Sequence, residues 1–154
     1  YYQVFGLNYT VLRFANVYGP RQYKGGEAGV IAIFTEAMAH GKPCVLYGDG
    51  KQTRDFVYVD DVVAALMAAA EIDCRGEINI STGKEIDMWE MIAAIENAAG
   101  AKLNLELAPA RPGEQRRSSL LNRRALETLN WQPRFDFAEG VRRTYDWVKN
   151  NQKK

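Results

Sequence analysis

The segment Gly48-Asp49-Gly50-Lys51-Gln52-Thr53-Arg54-Asp55-Phe56-Val57-Tyr58-Val59-Asp60-Asp61 packs a turn, a short strand and a helix start around one arginine. Gly48 and Gly50 flank Asp49, a pattern for a turn in which the chain takes φ > 0. Phe56 to Val59 is a β-prone run that a strand would bury. Asp60 or Asp61 then stands as N-cap before the apolar, alanine-rich run Val62 to Ala70, which predicts a helix. Arg54 is thereby placed just beyond a glycine turn, at the mouth of a strand. From there its planar five-donor fork can meet an anion, and phosphate suits that geometry. The other reading is a surface pair with Asp49 or Asp55.

With 154 residues, 47% of them hydrophobic, the chain is one domain's worth, and folding at this size buries roughly 70% of the unfolded surface. Its 20 basic and 19 acidic residues nearly cancel, which removes the electrostatic case for nucleic acid or a membrane surface as partner. Two cysteines, Cys44 and Cys74, are too few for a disulfide framework, and the single histidine, His40, has no companions for a metal cluster. A reducing cytoplasm, no metal and no membrane are therefore expected. No apolar run approaches ~18 residues, and no basic-then-apolar leader opens the chain. Lys153-Lys154 reads as a solvated end. Tyr1-Tyr2-Gln3-Val4-Phe5-Gly6 reads as the close of a helix with Gly6 as its stop, so the chain is expected to begin inside an element, as a fragment would.

Tyr9 to Phe14 is a short β-prone run, and Asn16-Val17-Tyr18-Gly19-Pro20-Arg21 is expected to end it in a loop with a Gly-Pro turn. Residues 23–29 hold three glycines, which no helix would tolerate. Val30, Ile31, Ile33, Phe34, Ala37 and Met38 recur at helical spacing up to His40, and Gly41 closes that helix. Cys44 to Tyr47 is a strand leading into the glycine turn. The helix from about Asp60 is expected to end near Cys74; Gly76 turns, and Glu77 to Ile80 is another strand. Asp87 or a neighbour caps a helix from Met88 to Ala99, stopped by Gly100. Leu103, Leu105 and Leu107 alternate as in a half-exposed strand, residues 109–119 form a polar loop around Arg111-Pro112-Gly113-Glu114, and helices at about Arg123 to Leu129 and Phe137 to Lys149 follow. Strands alternating with helices make the class α/β, with no repeat or linker dividing the chain.

Three motifs, Leu12-Arg13-Phe14-Ala15-Asn16-Val17-Tyr18-Gly19-Pro20-Arg21-Gln22, then Gly48 to Val62, then Arg111-Pro112-Gly113-Glu114, together resemble the extended short-chain dehydrogenases that act on nucleotide sugars. The UDP-glucose 4-epimerases are the most similar branch. Glu27-Ala28-Gly29-Val30-Ile31-Ala32-Ile33-Phe34 strengthens that likeness, and Asn130-Trp131-Gln132-Pro133 matches the family's closing pattern. The likeness runs nearly the whole length. Two departures are Ser81-Thr82-Gly83, where Gly-Thr-Gly is usual, and Asn122, where aspartate is common.

The resemblance implies a substrate-binding C-terminal portion of such an enzyme. Members carry, upstream of what matches here, a glycine-rich strand-turn-helix that seats the dinucleotide pyrophosphate, then a Ser or Thr and a Tyr-x-x-x-Lys pair. None of these is found in this sequence, so no residue is assigned a catalytic role. Tyr47 to Lys51 spans a glycine turn and cannot share a helical face. Tyr145 to Lys149 lies in a helix, but Tyr145 belongs to its apolar stripe with Val141 and Val148, and no serine precedes it in residues 120–144. Gly48-x-Gly50 lacks the third glycine and following helix of a dinucleotide fingerprint.

Carried onto matching positions, the resemblance gives Asn16 a hydrogen bond to the sugar nucleotide, the alternative being an Asx turn before Tyr18. The helix start at Gly29-Val30-Ile31 would face the diphosphate. Tyr47 would stand near the uracil, or be an ordinary half-buried strand tyrosine. Arg54 and Arg111 resemble the two diphosphate arginines, and Glu114 takes the place of the acid that holds ribose hydroxyls. Phe14 and Ala15 would lie at the C-terminal edge of the sheet near the nicotinamide; Arg13 serves structure. In the family a tyrosine removes the sugar O4 proton while NAD takes the C4 hydride, and the keto sugar turns over before the hydride returns. The expected partners are a UDP-sugar, the missing NAD-binding half and a second copy in a homodimer. A dTDP-glucose 4,6-dehydratase and a UDP-glucuronate decarboxylase are sister alternatives, and a non-catalytic sugar-nucleotide binding module is the alternative of another kind.

Overall fold

The computed structural model describes residues 1–22 and 29–151; residues 23–28, with most of the glycine-rich segment and Glu27-Ala28 of the helix-start motif, and Lys153-Lys154 lie outside the described residues. In chain order the elements are the helical turn α1 (Tyr2–Phe5), strands β1 (Thr10–Phe14) and β2 (Asn16–Tyr18), helix α2 (Val30–His40), strands β3 (Cys44–Tyr47), β4 (Thr53–Arg54) and β5 (Phe56–Tyr58), helix α3 (Val59–Glu71), strands β6 (Gly76–Ile80) and β7 (Ile86–Asp87), helix α4 (Met88–Ala99), strand β8 (Leu105–Ala108), and helices α5 (Arg123–Leu129) and α6 (Phe137–Asn150). The class is α/β, as the alternation of patterns predicts. Pairing is parallel in β1–β6, β2–β5 and β3–β8 and antiparallel in the short β4–β7.

β1 and β2 form one extended run that changes partner at Ala15. The Ala15 N–H donates to the Ile80 carbonyl (3.0 Å), and the next N–H, that of Asn16, donates to the Asp55 carbonyl (2.9 Å). Asn16–Tyr18 is therefore a strand and not the loop expected from its sequence, because β5 offers it an edge. The turn comes later, at Pro20-Arg21, with Arg21 at φ 69°.

β5 is the wall of the molecule. Phe56 and Tyr58 enter one core and Val57 the other, as successive strand residues must, and a strand covered on both faces reads as an unbroken apolar run. The first core joins Ile31 and Phe34 of α2, Leu46 of β3, Met91 and Ile95 of α4 and Val141 of α6. The second joins Ile78 and Ile80 of β6, Val62 and Ala65 of α3, Leu129 of α5 and Trp131.

Helix ends follow the sequence signals with one exception. Gly6, Gly41 and Gly100 close α1, α2 and α4 in the left-handed conformation, and Asp87 caps α4 in a reciprocal box with Glu90. α3 is the exception. It begins at Val59 with Tyr58 as N-cap, so neither Asp60 nor Asp61 is the cap; both lie in the first turn, and the helix ends at Glu71. Asp60 there complements the helix dipole. Asp61 is buried and accepts the N–H groups of Arg134 (3.0 Å) and Phe135 (3.2 Å), while its carbonyl takes the Trp131 indole N–H (2.9 Å). This aspartate anchors the segment before α6. β8 also starts later than the leucine alternation suggests: Leu103 and Leu105 pack on the first core, but Leu107 is 70% exposed. Among the described residues no helix is long and apolar enough to cross a membrane.

Candidate functional site

The first core opens into a cleft of about 480 Å³ lined by β3, by Val30, Ile33, Phe34 and Ala37 of α2, and by Met88 at the start of α4. That volume lies in the range of small-molecule sites, roughly 300–1,000 Å³. Its apolar lining follows from α2 and β3 turning their hydrophobic faces to the same core. Its polar groups arrive from two other segments: Gln52 and Arg54 follow the glycine turn, and Arg111 and Glu114 come from the loop after β8.

Both polar segments are shaped by glycine. Gly48 and Gly50 each sit at φ 74°, and a Cβ on Gly50 would run into the Trp89 indole, whose N–H donates to the Asp49 carbonyl (2.9 Å). In Arg111-Pro112-Gly113-Glu114, Gly113 takes φ 79° and the Glu114 N–H returns to the Arg111 carbonyl (3.3 Å). Proline second and a left-handed glycine third make a type II turn, which brings Arg111 and Glu114 side by side.

Of the six residues expected to hold substrate, Val30, Tyr47, Arg54, Arg111 and Glu114 line this one cleft. Arg111 lies over the Tyr47 ring, 3.7 Å from its centroid, in cation–π contact. Asn16 is not among the lining residues. It sits exposed on β2, and since no described bond uses its side chain, the Asx turn is not formed. Phe14 ends β1, 42% exposed, outside the cleft lining.

The surface-pair alternative for Arg54 does not hold. Arg54 Nη1 donates to the Thr53 and Gln115 carbonyls (2.8 and 2.7 Å). Asp49 is taken by Arg116 in a two-pronged pair (3.0 and 3.1 Å). Asp55 is buried and accepts the Thr82 N–H (2.9 Å), the Thr82 hydroxyl (2.7 Å) and the Gly83 N–H (2.9 Å), with Ser119 and Leu120 at 3.4 Å. The two sequence departures belong to this framework: the Ser81 hydroxyl donates to the Leu120 carbonyl (3.0 Å) and Asn122 Nδ2 to the Ser81 carbonyl (2.8 Å).

Gln52 and Cys44 are cleft residues that the sequence reading did not single out. Gln52 is buried and its Nε2 donates to the Tyr47 carbonyl (3.0 Å), fixing the end of β3. A long amide between two turn glycines and a buried strand is the signal that could have found it. Cys44 is buried too, and burial pushes its thiol pKa up, with Glu106 adding to the effect; it is not poised as a thiolate. Among the described lining residues there is no serine, threonine, lysine or histidine. Tyr145, of the chance Tyr-x-x-x-Lys match, is buried on α6. Arg54 and Arg111 give the cleft positive charge for an anionic ligand and Glu114 an acceptor for its donors, and the described lining residues offer no nucleophile–base pair.

A model of the NAD dependent epimerase/dehydratase family matches residues 1–81. The chain is 44% identical over 151 residues to the UDP-glucose 4-epimerase of Mycolicibacterium smegmatis, covering 97% of this chain and 48% of that protein. It is 42% identical over 152 residues to a putative UDP-glucose 4-epimerase of Methanocaldococcus jannaschii, covering 98% and 49%. The crystal structure of the Thermotoga maritima UDP-glucose 4-epimerase with UDP-glucose superposes with a TM-score of 0.93 at 40% identity, covering 99% of this chain and 49% of that one. The chain thus spans about half the length of the curated relatives it matches.

Proposed function

The chain belongs to the NAD dependent epimerase/dehydratase family, and from that premise we propose that it is the sugar-nucleotide-binding region of a UDP-glucose 4-epimerase whose NAD-binding domain lies in the rest of the complete protein. The observation that carries this reading is the convergence of Val30, Tyr47, Arg54, Arg111 and Glu114 on one cleft from four separate segments. Tyr47 and its strand lie beside the uracil. Arg54 and Arg111 hold the diphosphate; Arg54 commits Nη1 to carbonyls, which leave its charge uncancelled. α2 adds to the same end, because its start at Val30 lies in the cleft lining and carries the positive end of the helix dipole. Glu114 accepts the ribose hydroxyls, Asn16 bonds the sugar nucleotide, and Phe14 lies near the nicotinamide. A homodimeric, cytoplasmic enzyme goes with this reading.

The family is NAD-dependent, and the glycine turns at Gly48–Gly50 and Gly83 do not make the strand-turn-helix that seats the cofactor's pyrophosphate. The Gly48–Gly50 turn leads into β4 rather than a helix, α3 follows β5 with no glycine between them, and Gly83 leads into β7. No catalytic step is therefore assigned to this chain's residues.

The test is to follow the complete protein with UDP-galactose and UDP-glucose while titrating UDP calorimetrically. Interconversion of the two sugars with saturable UDP binding is expected. Loss of water or of carbon dioxide from a related substrate in place of interconversion would assign the dehydratase or decarboxylase instead, and UDP binding without turnover would leave a binding module.

A further inference from the structure

We propose that Arg116 serves the cleft by holding the Asp49 carboxylate away from its arginines, so that Arg54 and Arg111 meet an incoming diphosphate without competition from Asp49. This rests on the reading of the cleft as a diphosphate site. The turn that carries Asp49 and the loop that carries Arg111 touch: the Gly48 N–H donates to the Ala108 carbonyl (2.9 Å), and a Cβ on Gly48 would stand 3.4 Å from that of Ala110. Asp49 and Arg111 each follow this contact by one residue. Tyr47, whose ring Arg111 covers, is two residues before Asp49. An unengaged Asp49 thus has a guanidinium within its own neighbourhood, on the next segment.

Arg116 prevents that pairing by occupying both carboxylate oxygens, Nη1 on Oδ1 (3.0 Å) and Nη2 on Oδ2 (3.1 Å), while the Lys51 N–H also donates to Oδ1 (3.0 Å). Arg117 treats Glu85 likewise, with Nε and Nη2 on its two oxygens (3.0 and 2.7 Å). The pairing is sorted: Asp49 and Glu85 are each claimed by one arginine, while Glu114 stands beside Arg111 in the cleft. Arg116 and Arg117 take Asp49 and Glu85, and among the described residues Arg54 and Arg111 form no ion pair. Bracing the loop does not by itself require these pairs, since bonds to its main chain already tie it: the Thr53 N–H donates to the Arg116 carbonyl (2.9 Å) and the Arg54 side chain, through Nη1, to that of Gln115 (2.7 Å). A carboxylate released beside Arg111 would have to be displaced by the ligand's own phosphates, and two anions competing for one guanidinium weaken the second.

The experiment is UDP titration of the complete protein at low ionic strength, where exposed charges are least screened. Arg116→Ala is expected to weaken UDP about fivefold, the scale of an exposed charge pair. Adding Asp49→Asn to Arg116→Ala is expected to restore affinity to within about twofold of wild type, because the competing charge is then gone although the pair is still absent. Far-UV circular dichroism and a thermal melt check that each variant is folded. Arg116→Ala binding as tightly as wild type would overturn the proposal, and so would a double variant as weak as the single one, since Arg116 would then be a brace. A wild type that does not bind UDP would overturn the cleft reading and this proposal with it; a wild type that binds UDP beside an unaffected Arg116→Ala overturns this proposal alone.

Discussion

The two sides of β5 are closed to different degrees. Toward Phe56 and Tyr58, helices α2, α4 and α6 pack on one another and bury Ile31, Met91, Ile95 and Val141 almost completely. Toward Val57, helices α3 and α5 bury Ile78 and Ile80 equally well, yet β1 pairs with β6 alone among the described residues and Val11, next to inward Leu12, is 43% exposed. Val63, Leu66 and Met67 of α3 are exposed as well. Parallel strands are ordinarily covered on both faces. The difference teaches where each half of the proposed enzyme does its work: the closed side holds its own ligand cleft, and the open side is where the remainder of the complete protein is proposed to dock.

The sharpest way to break that comparison is to empty a position in the closed core. Ile95 is fully buried in α4, so Ile95→Ala is expected to cost about 2–5 kcal/mol, the lost transfer energy plus a cavity. Denaturant unfolding in the complete protein measures it. A cost under about 1 kcal/mol, within the range of an ordinary surface change, would mean that the core on this side is not closed around Ile95.

The second concerns the cleft on the closed side that gathers Arg54, Arg111 and Glu114. A charge-assisted hydrogen bond contributes roughly 1.5–3 kcal/mol, so Arg54→Ala or Arg111→Ala should weaken UDP about ten- to a hundredfold. Arg54→Lys keeps the charge without the fork and should recover only part. Glu114→Ala should weaken UDP without altering its salt dependence, whereas the arginine changes should flatten it. Titration at two ionic strengths separates the behaviours. Both alanine variants binding within about twofold of wild type, only ~0.4 kcal/mol, would remove the two arginines from the site.

Much of this was legible in the sequence, and for identifiable reasons. The bounds of α2, β3 and α5 followed from local signals, periodicity ended by glycine or polar turns, and local signals survive any tertiary context. The cleft residues could be named because their motifs resemble a family, not because spacing alone unites Val30 with Glu114. What escaped was long-range bonding. Asp61 looked like a cap because its partners, the Arg134 and Phe135 N–H groups, lie far along the chain. Asp55 looked available to Arg54 because nothing local reveals Thr82, Gly83 and Leu120 converging on it. Asn16–Tyr18 looked like loop because three residues carry too little periodicity to announce a strand whose partner is β5.

Acid offers a third, smaller contrast. The carboxylates held below their usual range lie in the closed side and its loop. Arg116 lowers Asp49 from 3.8 to about 2, Arg117 and Thr53 lower Glu85 from 4.5 to about 2, and Arg142 and Arg143 lower Glu139 from 4.5 to about 2. Because the folded values lie below the unfolded ones, their stabilisation is complete above the unfolded values and is lost as pH falls from 4.5 toward about 2. Calorimetric melts at pH 6 and pH 3 should differ, and Asp49→Asn with Glu85→Gln should reduce the difference. An unchanged difference in that double variant would show that these pairs do not carry the acid sensitivity.

The smallest expected effect tests the open side directly. In the 154-residue chain Val11 is 43% exposed on β1, so Val11→Ala removes little buried area and should change stability by no more than about 0.5 kcal/mol. In the complete protein, where the proposed NAD-binding domain covers β1, the same substitution removes two buried carbons and should cost about 1–2 kcal/mol. The same uncovered edge and apolar surface should make the isolated chain self-associate, since unpaired strand groups template further pairing, which light scattering at tens of micromolar would detect. The comparison between the two lengths matters more than either value, because strand propensity at position 11 is common to both and cancels. An equal, small effect in both lengths, with a monodisperse monomer for the short one, would mean that nothing docks on β1. The open face would then be an ordinary solvent face of a finished sheet, and the NAD-binding half would have to be sought elsewhere.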